Sequence, residues 1–193
     1  MRRRFEDSLW FYLLIGIIGT AIIWFVLLIP WPAQAAGTHT PREYAEECLD
    51  GVEISDPAIS RDMLKAICWY ESNWRQFENG RPYRTSNPGS KYASWGIAQI
   101  YDDPACRYPG IDYQLVKINL KENLKAGVSI LHDKFLQARR IRKLYRISNK
   151  HSDAEIGLRL YNGWRPRTGG KWDYAKAVMD IMADRPWEGR KLK

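Results

Sequence analysis

The chain holds only three cysteines, Cys48, Cys68 and Cys106, and three histidines, His39, His132 and His151. An odd cysteine count leaves at least one thiol free in a monomer. None of these residues falls at metal-ligand spacing, so the sequence offers no zinc finger or His/Cys metal centre. A cysteine nucleophile at Cys68 would lack a histidine placed to activate it. There is no phosphate-binding glycine loop and no nucleic-acid signature. Internal repeats and low-complexity tracts are absent. Beyond residue 41, no apolar/polar alternation runs longer than four or five residues, which argues against a sheet protein. A mainly α domain without metal or cofactor is the expectation.

What the chain does hold begins with one long hydrophobic run. Leu9 to Ile29 is 21 residues without a charge, preceded by Arg2, Arg3 and Arg4. At ~1.5 Å per residue this roughly matches the ~30 Å hydrocarbon core of a bilayer. The arginines keep residues 1–8 in the cytoplasm and send the rest of the chain across. The run exceeds the usual ~7–15-residue signal-peptide core, which favours an uncleaved transmembrane anchor over residues 9–30. Ala33-Gln34-Ala35 supplies the alternative, a cleavage site that would release the domain into the same compartment. Residues 31–41, rich in proline and small residues, read as a linker. Residues 42–185 form the domain, and 186–193 a basic tail. Arg2–Arg4 against Glu6 and Asp7 leave +1 in the first 36 residues, so +7 of the net +8 lies beyond them. Such a charge suits acidic polymers or a solvated face; nothing selects nucleic acid. Nine tryptophans and eleven tyrosines suit carbohydrate surfaces, and equally fill cores.

Within the domain, Pro41 to Leu49 reads as a short helix. Ser60 is a candidate N-cap, with Asp62 in the first turn, for a helix through Trp74. Leu64, Ile67, Cys68 and Trp74 share one face of it, and Glu71 sits on that face too. A carboxyl on an apolar face either pairs with a base such as Arg75 or stays protonated and serves as a general acid. Glu78 to Ala93 is loop-like, with Asn79-Gly80 and Asn87-Pro88-Gly89 as turn signals. Ser94 to Ile100 reads as a short helical turn with a close approach at Gly96. Residues 113–142 form the longest helix, striped by Leu120, Leu124, Val128, Leu131 and Phe135. Gly127 within it marks the close approach of another helix. Its strongly basic end, Arg139 to Arg146, reads as a solvated face. Ser152 and Glu155 form a capping box for a helix that ends at Asn162-Gly163, and Trp172 to Met182 makes the last helix. Cys68 falls in the core; Cys48 and Cys106 are the pair available for a disulfide in an exported domain.

Four elements stand in order: Glu71-Ser72, Gly96-Ile97-Ala98-Gln99-Ile100, Asn123-Leu124-Lys125-Ala126-Gly127, and Leu160-Tyr161-Asn162-Gly163. This order resembles the soluble lytic transglycosylase domain, which shares the goose-type lysozyme fold. That family carries a Glu-Ser pair, a Gly-x-x-Gln-hydrophobic motif, an Asn-hydrophobic-x-x-Gly motif and an Ala-Tyr-Asn motif. The likeness spans roughly residues 43–182. Ala98 stands where the family often has Met or Phe, and Leu160 replaces the alanine before Tyr-Asn.

The resemblance implies a lysozyme-like helical domain that cuts peptidoglycan glycan strands between N-acetylmuramic acid and N-acetylglucosamine. Glu71 would be the acid and then the base, without a partner carboxylate, leaving 1,6-anhydro ends. Ser72, Ser94, Gly96, Ile97, Gln99, Tyr161 and Asn162 would contact or orient the glycan. The location implied is the bacterial inner membrane with the domain in the periplasm, where a secretion or pilus apparatus would be a compatible partner. A hydrolytic muramidase, for which Asp102 or Asp103 could serve, and a non-catalytic glycan-binding envelope scaffold are the competing functions.

Overall fold

A computed structural model describes residues 40–86, 89–145, 151–163 and 173–189. All belong to the second of the two units into which the chain divides, Met1–Ala36 and Gly37–Lys193. The anchor at Leu9–Ile29, the cleavage site near Ala35 and most of the linker lie outside the described residues. Among the described residues, no helix is long and apolar enough to cross a membrane.

The domain is mainly α, as its patterning predicts. Helix α1 (Arg42–Gly51) follows Pro41 and turns Ala45, Cys48 and Leu49 inward. Helix α2 (Arg61–Ser72) opens on Ser60, whose hydroxyl accepts the Met63 N–H at 3.1 Å. It buries Met63, Leu64, Ala66, Ile67 and Cys68. Lys65 is also buried, paired with Asp50 of α1 at 2.8 Å. The helix stops two residues earlier than its apolar pattern suggests. Asn73 and Trp74 both adopt left-handed backbone, at φ 52° and 61°. That conformation is unusual for a residue as bulky as tryptophan. Trp74 is held there by its indole N–H, which donates to the Lys65 carbonyl at 3.0 Å, and by stacking on Trp187 at 5.8 Å.

Five two-residue strands follow. β1 (Phe77–Glu78) pairs with β2 (Arg81–Pro82). β3 (Arg84–Thr85), β4 (Ser94–Trp95) and β5 (Ile100–Tyr101) form a three-stranded antiparallel sheet. Ser94 to Ile100 is therefore a hairpin, not the helical turn its sequence suggests. The long helical stripe is also divided. α3 (Tyr113–Ile118) ends where Asn119 adopts extended backbone, and α4 (Leu120–Tyr145) begins directly after it. Asn119 accepts the Glu122 N–H at 3.2 Å, so one side chain caps the new helix at the break. α5 (Asp153–Tyr161) opens on the expected capping box of Ser152 and Glu155, and packs on α4. α6 (Asp173–Asp184) packs on α2.

Both ends of the domain reach past the sequence boundaries. Thr40, assigned to the linker, accepts the Gln76 and Phe77 N–H groups at 2.8 and 2.9 Å. Pro186–Glu188, assigned to the tail, is a short helical turn with Trp187 buried in the core. The Cys48–Cys106 disulfide is not formed, and all three thiols are free. Cys48 points from α1 into the core while Cys106 is exposed on a turn beside β5, so the two face different surroundings.

The hairpin tip at residues 96–98 is buried, and each of its polar backbone groups finds a partner. Trp95 C=O accepts from Asn123 Nδ2 at 2.8 Å, and the Ala98 N–H donates to Asn123 Oδ1 at 2.8 Å. The Ile97 N–H donates to Gln76 Oε1 at 3.0 Å. The Gly96 N–H donates to the Tyr83 carbonyl at 2.8 Å, and the Gly96 carbonyl accepts from Gln99 Nε2 at 2.7 Å. The Ile97 carbonyl accepts from the Ser72 hydroxyl at 2.8 Å, and that of Ala98 from the Tyr161 hydroxyl at 2.8 Å. Gln76 is itself moored to the end of α3 through the Val116 and Lys117 carbonyls. Gly96 is obligatory here: its φ is +72°, and a Cβ would collide with the Asn123 and Gln76 amides. Gly127 admits the same tip, since its Cβ would stand 2.9 Å from that of Ala98. A hairpin rather than a helix is thus what makes the close approach at Gly127.

Asn123 is fully buried and serves three backbone groups, the third being the Val116 carbonyl at 3.1 Å. Asn123→Ala should lower unfolding stability by about 3–5 kcal/mol, because each group stranded without a partner costs about 1–3 kcal/mol. Urea unfolding of the purified chain measures this. A loss below about 1 kcal/mol would mean the amide carries no more than one ordinary hydrogen bond.

Candidate active site

The last turn of α2 presents Glu71 to a cleft of about 650 Å³ between the hairpin, the middle of α4 and the end of α5. Its walls include Ser94, Tyr101, Cys106 and Tyr108 on one side and Ile130, Lys134, Gln137 and Ile141 from α4 on another. Leu160, Tyr161, Asn162 and Gly163 close it at the end of α5. A larger concavity of about 770 Å³ between α1 and α4 is a surface groove carrying charges of both signs, and Glu71 is not in it.

Glu71 is not paired with Arg75. That guanidinium bonds Glu78 at 2.7 Å and the Tyr83 hydroxyl at 2.9 Å. Glu71 Oε1 instead accepts from the Tyr174 hydroxyl at 2.6 Å. Burial raises the Glu71 carboxyl above the ordinary glutamate range, and the Tyr174 hydrogen bond opposes this without cancelling it. The neighbours respond in turn. Burial, and then the Glu71 charge, hold the phenols of Tyr161 and Tyr174 well above their usual range. The buried Cys68 thiol is raised for the same two reasons, which makes it an inert wall group. Glu71 is thus a carboxyl shifted toward its protonated form relative to an ordinary glutamate, at the edge of a cleft and hydrogen-bonded to a phenol.

Among the described residues that line the cleft, no second carboxyl faces Glu71. Asp102 is committed elsewhere, bonded to Lys117 at 2.7 Å and Arg107 at 2.5 Å. Burial would raise it, but those two cations outweigh burial and hold it below the usual aspartate range. Asp103 accepts the Ala105 N–H and caps a turn. No group of His, Cys, Asp and Glu among the described residues could hold a metal ion.

Of the residues singled out in the sequence, the structure brings Glu71, Ser94, Tyr161 and Asn162 together at the cleft. Ser72, Gly96, Ile97 and Gln99 lie behind it. The Ser72 hydroxyl is buried against the Cys68 and Ile97 carbonyls, and the Gln99 side chain is folded back onto Thr85 and the Gly96 carbonyl. Their work is to hold the hairpin tip. Trp74, placed by its spacing on the same helix face as Glu71, packs instead against Trp69 and Trp187. Tyr174, Tyr101, Tyr108 and Lys134 are the residues sequence reasoning missed. Tyr174 lies 103 residues from Glu71, and only its place on the inner face of a helix beside Ala175 and Val178 hinted at it.

Compared with known proteins, the chain matches no protein-family model, no curated protein and no solved structure.

Two outcomes follow from this electrostatic arrangement. Tyr174→Phe removes the one hydrogen bond that lowers the Glu71 pKa, so a ¹³C NMR titration of that carboxyl should show its midpoint move upward; an unmoved or lower midpoint contradicts the assignment. A folded-state pKa above the unfolded one contributes stability below the unfolded value and loses it as pH rises through the folded value. Glu71→Gln should therefore gain thermal stability over the parent at about pH 7.5, and the gain should shrink toward about pH 4. A gain independent of pH would exclude burial of the charge as its source.

Proposed function

We propose that the protein is a lytic transglycosylase of bacterial peptidoglycan, with a goose-type lysozyme-like domain and Glu71 as its single catalytic acid and base. One observation carries this reading: a carboxyl with a raised pKa lines an open cleft in which no described residue supplies a second carboxyl. Inverting and ordinary retaining glycosidases both need a carboxylate pair flanking the scissile bond. A lone acid fits a route in which the substrate provides the missing nucleophile.

In that route Glu71 protonates the glycosidic oxygen as the bond to C1 of the muramyl residue breaks. The carbonyl oxygen of that sugar's own 2-acetamido group bonds to C1 and spreads the positive charge. Glu71, now ionised, takes the proton of the 6-hydroxyl. The freed oxygen attacks C1, displaces the acetamido oxygen and closes the 1,6-anhydro ring. No water enters, and Glu71 ends protonated as it began. Burial suits the first half of this cycle by shifting Glu71 toward its protonated form. Tyr174 suits the second by donating to the carboxylate that forms. Tyr161 stands at the same wall with its hydroxyl committed to Ala98, so its part is to position rather than to exchange protons. The order of the four motifs along the chain supports the same reading.

The Leu9–Ile29 run supports anchorage in the inner membrane, with the domain in the periplasm where the polymer lies. Mass spectrometry of muropeptides released from purified wall by the full-length protein tests the proposal. The expected products carry 1,6-anhydro ends, and Glu71→Gln should slow their release by about 10²–10⁴-fold. Reducing ends would make the enzyme a hydrolytic muramidase. Release unchanged in Glu71→Gln would overturn the catalytic assignment, and binding without any release would leave a glycan-binding scaffold.

A further inference from the structure

The floor of the cleft is one stripe of α4. Ile130, Lys134, Gln137 and Ile141 recur at steps of four, three and four, so they share a helix face, and all four line the cavity. Three of these positions suit a neutral sugar: two apolar side chains and an amide. Lys134 does not. With Glu71 it is one of only two Lys, Arg, Asp or Glu side chains among the described residues that line the cleft.

Lys134 lines the cleft with only a long ion-pair contact of its own. Its side chain is only 19% exposed. Its nearest acid, Asp133, is 4.0 Å away and is itself engaged by Gln137 at 2.5 Å. Among the described residues, Lys134 Nζ has no hydrogen-bond acceptor; it rests over the Tyr108 ring at 5.3 Å. An ammonium at the cleft wall with no close carboxylate is free to form a charge-assisted hydrogen bond to an anion that enters the cleft. The aromatic face keeps it aimed into the cavity meanwhile.

Lys134 is not the counter-ion of the catalytic acid. Glu71 answers to burial and to Tyr174, and no cation acts on it. Position agrees. The site of a Gly127 Cβ is 3.6 Å from the Tyr161 hydroxyl, which fixes where the acid's wall crosses α4. Lys134 lies seven residues further on, two turns or about 10 Å along the axis. The ammonium therefore faces a neighbouring part of the bound polymer, beyond the bond being cut.

We infer that Lys134 is a specificity residue that binds a carboxylate carried by the muramyl side arm, either that of the lactyl ether itself or that of a peptide attached to it. This rests on the proposed glycan substrate and adds that the cleft reads the substituent as well as the sugar. Neutral glycans of the same backbone would lose this contact.

Equilibrium binding to the full-length Glu71→Gln protein, which prevents turnover, tests it with three glycans: peptide-bearing strands, strands stripped of peptide with a free lactyl carboxylate, and stripped strands whose carboxylate is capped as the methylamide. Adding Lys134→Met should weaken binding of a carboxylate-bearing strand by about 10- to 100-fold, the range for a hydrogen bond to a charged group. It should leave the methylamide strand unchanged. Lys134→Arg should retain most of the affinity. Loss with stripped strands assigns the lactyl carboxylate; loss confined to peptide-bearing strands assigns the peptide. Equal affinity of the Lys134→Met protein for all three glycans relative to its parent, or an equal loss on the methylamide, would overturn the inference. Lys134-dependent binding with no cleavage by the Glu71 chain would overturn only the catalytic reading, and cleavage with Lys134-independent binding only this one. A chain that binds none of the three glycans overturns both.

Discussion

Three residues, Gly96 to Ala98, are buried at the tip of a hairpin too short to satisfy itself. Strands of two residues supply few ladder bonds, so the tip draws its partners from elsewhere. Ser72 arrives from the end of α2, Gln76 from the segment after it, Asn123 from the first turn of α4 and Tyr161 from the last turn of α5. Each partner is a neutral side chain, so the tip is tied down without burying a charge. The geometry of the cleft is a consequence. Ser72 is the residue next to Glu71, and Tyr161 is a wall of the same cavity. Fixing the tip therefore fixes the spacing of the acid, the tyrosine and the α4 stripe in one step.

The same clamp explains why the chain leaves α2 so abruptly. To bring Gln76 back under the tip, the helix must end at Ser72 and reverse through two left-handed residues. A left-handed non-glycine residue costs about 1–3 kcal/mol. Trp74 carries that strain because its indole is gripped by Lys65, Trp69 and Trp187. Strain next to Glu71 has a use. A continuing helix would cover the carboxyl with another turn, whereas the reversal leaves it at a helix end, open to the cleft yet backed by Cys68 and Tyr174.

Helix starts were legible because their signals are local. Ser60 and the Ser152–Glu155 box lie within three residues of the groups they cap. Glu71 was legible because a carboxyl on an apolar face violates a local pattern. What escaped was set by partners distant in sequence. The hairpin at Ser94–Tyr101 has no alternation to reveal it, since two-residue strands are shorter than the period that would register. Asn119 splits the long helix by capping it, yet polar residues break helical stripes everywhere without ending the helix. Tyr174 looks like any core aromatic until Glu71 is placed beside it. The proposed Cys48–Cys106 bond failed for a related reason: setting the core Cys68 aside leaves two cysteines but says nothing about which way each side chain turns. Motif residues were legible as a set but not by role, since a glutamine that ligates and one that braces a turn are spelled alike.

That last distinction bears on how such a site can vary. Ser72, Gln76, Gln99 and Asn123 each serve buried backbone, so replacing any of them strands groups that have no access to water. Apart from Tyr161, the cleft walls carry no such obligation. Tyr101, Lys134, Gln137 and Ile141 are held by α4 and the hairpin but hold up little in return, so substitution there changes what the cleft accepts without moving Glu71. A carboxyl whose protonation is set by burial and one phenol can keep its chemistry while the walls around it are rewritten. The lone ammonium on an otherwise neutral stripe is best understood in that frame, as a residue answerable to the ligand rather than to the fold.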